Sequence, residues 1–258
     1  MTEQAFFEQD GERFLPNPIA RGPWDPQSLN GRVVAGLLGC ELERRHGGAG
    51  WLPARLTVDL YRLPGFDPVT VETRVVREGR RIRVVDATFV SGDRDMARAT
   101  CQFLAADENA PGAVWKPEPW DAPSPDDVPD RLRDGPMPWI VRPFAGAFGE
   151  AGQRRAWLKE VRPMVAGLAP TPYQRVAAMA DFVSPWAHSG DAGLGYINTD
   201  VALMLHRLPA GEWIGFETSY HDADAGIAAG TCRLYDEQGP IGFASCVALA
   251  QKQVLRPR

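Results

Sequence analysis

One acidic side chain stands where an apolar run ought to continue. Val176, Ala177, Ala178, Met179 and Ala180 are small and apolar, Phe182 and Val183 follow, and Asp181 interrupts them. A carboxylate among such neighbours must be paired, hydrogen-bonded or protonated, and one with a raised pKa is suited to taking a proton from water. The competing reading is a carboxylate near a helix end that turns out to solvent. Little else in the chain offers chemistry. Ser184, Ser189 and Ser245 lie in no Gly-x-Ser-x-Gly turn, which disfavours a serine nucleophile of that kind. No glycine-rich phosphate loop and no His/Glu metal pair is present, so no cofactor and no metal is expected. Cys40, Cys101, Cys232 and Cys246 form no CxxC pair and read as buried thiols in a reducing cytoplasm.

Asp181 needs an element to hold it. Thr171 as N-cap, Pro172 in the first turn and Gln174 as the far half of a capping box predict a helix over Pro172 to Phe182. The segment Ser184 to Asp191 reads as the loop that follows. Within it, His188 is either a base or donor toward a substrate or a loop histidine with a capping role. Trp186 either lines a pocket or packs at the surface.

The rest of the chain limits what that helix can serve. Its 258 residues are enough for one large or two modest domains. A net charge of −5 with no Lys/Arg stripe disfavours nucleic acid as a partner. No apolar run approaches the roughly 18 residues of a membrane helix. The N-terminus is acidic and lacks a basic stretch followed by an apolar one, so no signal peptide is expected.

In chain order, Asp25 and Pro26 read as the start of a helix that runs through Val33, Val34, Leu37, Leu38 and Leu42 and ends near Glu43 to His46. Strand-like segments follow at Arg55 to Leu63, Val69 to Arg77, Ile82 to Val90 and Asp95 to Ala105. The same order then returns at an offset of 145 residues. Arg62-Leu63-Pro64 falls on Arg207-Leu208-Pro209, Glu72-Thr73 on Glu217-Thr218, Ile82 on Ile227 and Cys101 on Cys246. Between residues 55–105 and 200–250 there are 11 identities without a gap, where unrelated sequences give roughly three. The offset also puts Gly36 on Asp181 and Tyr61 on His206, so the two helices are equivalent in place but not in chemistry. One working site per chain is the natural inference.

Three regions follow from this: an N-terminal unit at 1–110, a connector at 111–150 and a C-terminal unit at 151–258. Residues 106 to 143 hold nine prolines, which rules out regular helix or central strand, and Trp115, Trp120 and Trp139 are expected to pack along the surface. Arg154 to Val165 reads as an edge strand that opens the second unit, with Trp157 as its anchor.

A long helix wrapped by an antiparallel sheet, written twice in one chain, resembles the double hotdog of the type II acyl-CoA thioesterase family, an α+β fold. The resemblance covers about residues 14–105 and 154–252. It is carried by Arg21-Gly-Pro-Trp24, by Asn30-Gly31-Arg32-Val33-Val34 and by Ala180-Asp181-Phe182. Ile197-Asn198-Thr199-Asp200 leading to His206-Arg207, and Gly239-Pro240-Ile241-Gly242 before Ala244-Ser245, complete it. The resemblance implies hydrolysis of a fatty-acyl or related thioester of CoA, or of an acyl carrier, by a water held by an aspartate, a threonine or serine, and a glutamine. It implies a cytoplasmic enzyme of lipid metabolism, with CoA entering only as part of the substrate, and a homo-oligomer of the fused unit.

Asp181 matches the aspartate and Thr199 the threonine. Strand alternation puts Thr199 on the face of Val201, Leu203 and Leu205, and turns Asn198 and Asp200 the other way. The glutamine position holds Ala248, and Gln251 lies on the opposite strand face. The candidate substrate-binding positions are Asn30, Gly31, Arg32, Trp186, His188 and Asn198, and Arg32, near a helix start, either meets a CoA phosphate or is a solvated arginine. Ala248 also leaves open an acyl-CoA- or lipid-binding protein that has kept the pocket without the chemistry. A third reading, hydration of an enoyl thioester, would need His188 paired with Asp181.

Overall fold

Alternating residues build a single curved sheet of 14 strands, and the two apolar helices sit inside its bend. The computed structural model describes residues 4–118, 120–129 and 139–256. A hairpin of β1 (Phe7–Asp10) and β2 (Arg13–Pro16) leads to α1 (Gly31–His46). Then come β3 (Trp51–Leu60), β4 (Val69–Glu78), β5 (Ile82–Ser91) and β6 (Arg94–Ala105). The second half opens with β7 (Trp139–Ala145) and β8 (Arg155–Glu160). Its helix is broken: α2 (Pro172–Met179), a 3₁₀ turn at Ala180–Phe182, and α3 (Val183–His188). It closes with β9 (Ser189–Gly190), β10 (Gly193–Asn198), β11 (Asp200–Leu205), β12 (Trp213–Asp224), β13 (Ile227–Asp236) and β14 (Gly239–Leu255).

The sheet runs β1-β2-β4-β5-β6-β3-β11-β14-β13-β12-β8-β7, with β10 beside β14. It obeys the 145-residue offset in its register. Val85 pairs with Cys101 as Gly230 pairs with Cys246, and Ala87 with Ala99 as Cys232 with Ala244. The β5–β6 bulge after Phe89 returns in β13–β14 after Leu234. At the seam, Val58 opposes Val201 and Leu56 opposes Leu203, pairs that the offset exchanges, while Thr57 opposite Ala202 lies on the axis. The chain is a double hotdog with an internal pseudo-twofold.

The helices meet across this axis. Close approach needs small residues: a Cβ on Gly39 would lie 2.9 Å from the Cβ of Ala177, and one on Gly36 would strike Met164 and Ala178. The helix starts are only partly as the sequence suggests. Thr171 caps α2 by accepting from the Gln174 N–H at 3.1 Å, but the Gln174 side chain donates to Glu43 instead of closing a capping box. Asp25 caps a turn at Gln27, and α1 begins only at Gly31, with Asn30 as its N-cap and Asn30 Oδ1 accepting from the Arg32 N–H at 3.1 Å. Helix persists past Asp181 to His188, because Pro185 sits in the first turn of α3, where its missing N–H costs nothing.

The edge of the second half is β7, not the 154–165 segment; β8 lies inside it, between β7 and β12. β7 therefore falls within the span read as connector. Of that span, Trp120 lies on the outer face of the sheet against Gly215, stacked on Tyr235 at 4.1 Å, while Trp115 is exposed. Trp157 is anchored there by donating to Pro123 O at 2.9 Å. Pro119, Pro136 and Pro138 lie outside the described residues. Among the described residues no helix is long and apolar enough to cross a membrane.

Candidate active site

Asp181 sits in the 3₁₀ turn between α2 and α3 and is buried. At this break in the helix its carboxylate lies between the first turn of α1 and the end of β10. Gly31, the first residue of that turn, leaves the room: a Cβ there would lie 3.3 Å from both carboxylate oxygens. Asn198 Nδ2 donates to Asp181 Oδ1 at 2.8 Å and to Asp200 O at 3.1 Å, so both amide hydrogens are committed. Asp181 Oδ2 accepts no hydrogen bond among the described residues. Burial pushes the Asp181 carboxyl above the ordinary aspartate range, opposed by the Asn198 hydrogen bond and the Arg32 charge.

This arrangement corrects the strand-face expectation. Thr199 belongs to no strand. It is the extra residue of a bulge: Asn198 opposes Ala248, but Ala202 opposes Ser245, one position out of step. Asp200 holds the bulge by accepting the Val247 N–H at 2.7 Å, and Thr199 donates its own N–H to Val247 O at 3.0 Å. A one-residue slip exchanges the two faces. Asn198 consequently meets Asp181, and the Thr199 hydroxyl reaches only Val247 O at 3.4 Å. Ala248, where the glutamine was expected, is directly across from Asn198, and its small side chain leaves the amide its space. Gln251 is exposed and donates to its own strand at Leu249.

A cleft of about 1210 Å³ opens on Asp181. Asn30, Gly31, Arg32, Leu60, Asn198 and Thr199 line it around the carboxylate, and Phe6, Trp139, Phe148 and Phe182 make it apolar farther on. At the rim stand three exposed arginines, Arg21, Arg62 and Arg256, whose side chains have no ion pair or hydrogen bond among the described residues. Residues 20–104 match the family model for the acyl-CoA thioesterase N-terminal domain, and residues 105–249 match that for the acyl-CoA thioesterase C-terminal domain. This chain belongs to the acyl-CoA thioesterase family.

Solved structures agree on the fold. A hotdog-fold protein of unknown function from Alicyclobacillus acidocaldarius superposes with a TM-score of 0.76 at 15% identity, covering 96% of each chain. The TesB protein of Mycobacterium avium subs paratuberculosis gives 0.71 at 17% identity over 95% of each. The acyl-CoA thioesterase II TesB2 of Mycobacterium marinum gives 0.67 at 18% identity, covering 97% of this chain and 96% of its own. No curated relative matches the chain by sequence.

The remaining expected residues lie elsewhere in the thioesterase. Trp186 is fully buried, stacked on Phe182, with Nε1 donating to Arg154 O; it is core and does not line the cleft. His188 ends α3 and faces a separate hollow of about 600 Å³ beside Tyr196 and His221. Its Nδ1 is 3.0 Å from His221 Nδ1 and its Nε2 3.3 Å from Cys246 Sγ. Burial and His221 push its pKa down to about 4, so it is neutral at pH 7 and unpaired with Asp181. Arg32 reaches no rim position: it forms a buried ion pair with Glu160 at 2.6 Å inside the cleft. The rim arginines escaped sequence reading because they belong to three segments that only the fold brings together. Among the described residues no three His, Cys, Asp or Glu side chains are placed to hold a metal.

Proposed function

We propose that this thioesterase hydrolyses acyl-CoA thioesters with Asp181 as general base, Asn198 as the residue that holds it, and the start of α1 as the oxyanion site. The observation that carries the proposal is the buried Asp181 carboxylate at the cleft, one oxygen held by Asn198 and the other free. The free oxygen takes a proton from a water, and that water attacks the thioester carbonyl carbon. The Gly31 N–H has no acceptor among the described residues and lies at the positive end of a 16-residue helix, where negative charge on the carbonyl oxygen is stabilised. The C–S bond then breaks, and protonated Asp181 returns its proton to the departing thiolate.

Asn198 supplies an amide beside Asp181, from the strand opposite the Ala248 position. Its second bond, to Asp200 O, fixes which way it points. The rim arginines fit the phosphates of CoA, and the apolar inner wall fits an acyl chain. Four free, buried cysteines support a reducing compartment such as the cytoplasm. A panel of acyl-CoAs with a thiol reagent tests the proposal on wild type and Asp181→Asn. Thiol release is expected to fall by about 10³-fold or more in the variant. Release that survives the substitution would remove Asp181 from the mechanism, and saturable binding without release from wild type would make the chain a binder.

A further inference from the structure

Of the arginines lining the cleft, Arg32 alone is buried, and it is only partly satisfied. Nη2 donates to Glu160 Oε2 at 2.6 Å. Nε and Nη1 have no acceptor among the described residues, yet neither is among the unpartnered polar atoms sealed from solvent, so their N–H groups open onto the cleft. The guanidinium carbon lies 4.8 Å from the centre of the Phe6 ring and 4.2 Å from that of Trp139, so two aromatic rings pack against the group and restrict how it can turn. Glu160 cannot turn to serve those donors, because Oε1 accepts the N–H groups of Val161 and Arg162 at 3.0 and 3.1 Å.

A wholly hydrocarbon acyl chain laid along this wall would strip water from the free N–H groups and give nothing back. A buried ion pair is a poor device for stability alone, since apolar side chains of the same volume often serve as well or better. We infer that the acyl group accepted here carries a hydrogen-bond-accepting oxygen, hydroxyl or oxo, a few carbons from the thioester, seated on the free edge of Arg32. This rests on the thioesterase reading of the same cleft. The oxygen lies close to the reacting carbonyl because Arg32 directly follows Gly31, which abuts Asp181. Glu160 already neutralises the guanidinium, so a neutral oxygen fits better than a second carboxylate.

The test compares CoA thioesters of one chain length, unsubstituted, 3-hydroxy, 3-oxo and ω-carboxy, on the full chain. The wild type is expected to favour the 3-hydroxy or 3-oxo ester in kcat/KM by about 10- to 100-fold. That preference should shrink to within about threefold in two variants. Arg32→Lys keeps a charge for Glu160 but loses the fork, and Arg32→Gln with Glu160→Gln keeps a hydrogen bond without charge. Thermal melts establish that each folds. Equal rates for plain and oxygenated esters, an ω-carboxy preference, or a preference that survives both variants would overturn the inference and leave Arg32 as a staple between α1 and β8. If the wild type cleaves none of them, the hydrolytic mechanism fails, but non-hydrolysable CoA thioethers still decide this point. Calorimetric preference for the oxygenated thioether supports it, and equal affinity overturns it.

Discussion

The two halves share their strands, their register and even a bulge, yet the carboxylate that lines the cleft, Asp181, belongs to the second half alone among the described residues. Where the second half carries Asp181, the first has Gly36, with Met164 and Ala178 packed where a side chain would go. Where the second has Asn198 and Ala248, the first has Pro53 opposite Phe103, and Phe103 is fully buried. Where α1 offers Gly31 to the carboxylate, α2 has Val176 in the core. The bulge is the same in both: Ala54 is the extra residue in β3, as Thr199 is between β10 and β11. The scaffold therefore supplied two equivalent frames. The proposed site combines a carboxylate, an amide to hold it, a glycine to admit it and a small residue across from the amide, all in one frame. The other frame filled the same volume with apolar side chains, as a close-packed interior demands.

The largest effect should come from forcing the first half to imitate the second. Gly36→Asp buries a carboxylate against Met164 and Ala178, with a proline where its amide partner would need to be. A loss of about 3–5 kcal/mol in urea denaturation is expected, with no second hydrolytic centre. A variant as stable as wild type would mean that the first frame is not closed.

Next in size is the contrast between two neighbours in the second half. Asn198→Ala should lower kcat by about 10²- to 10³-fold, whereas Thr199→Val should stay within about threefold, because its hydroxyl only touches Val247 O. The pH profile separates positioning from mere packing. Asn198 holds the Asp181 pKa down against the upward push of burial, so its removal must raise that pKa further. The acid limb of kcat/KM should therefore move to higher pH in Asn198→Ala and stay in place in Thr199→Val. The reverse ranking of the two variants would restore the threonine to the role that the sequence pattern gave it.

The fold was largely legible because periodicity and the 145-residue offset both survive in the residues that face the core. β5 and β13 begin and end at positions the offset equates. Asp181 was legible for the same reason, as a charge interrupting an apolar face. Its partner was not. Period-two alternation holds only along an uninterrupted strand, and the bulge at Thr199 reverses it over one residue. A signal existed in Pro53, which the offset places on Asn198: a proline inside a strand marks a bulge or an edge. The Arg32–Glu160 pair joins residues 128 positions apart, so nothing local announces it. His188 and Trp186 were misplaced because Ser184-Pro185 reads as a loop, although a proline in the first turn of a helix is well tolerated.

The smallest effect bears on what the second half gives up by burying Asp181. Burial raises the Asp181 pKa above its unfolded value, so folding favours the protonated form of this group. Its contribution to stability must therefore be least unfavourable at low pH and become worse as pH rises from the ordinary aspartate value through the raised one. Asp181→Asn keeps the shape and a partner for Asn198 but removes the charge. It should gain about 0.5–2 kcal/mol in urea melts at pH 7 while losing hydrolysis, and the gain should vanish near and below about pH 4, where the wild-type carboxyl is neutral as well. If the variant is instead less stable at pH 7, the Asn198 amide and the N-terminus of α1 outweigh desolvation. The frame with the site would then be the better satisfied of the two, and the apolar filling of the first half would have to be explained by something other than relief of a buried charge.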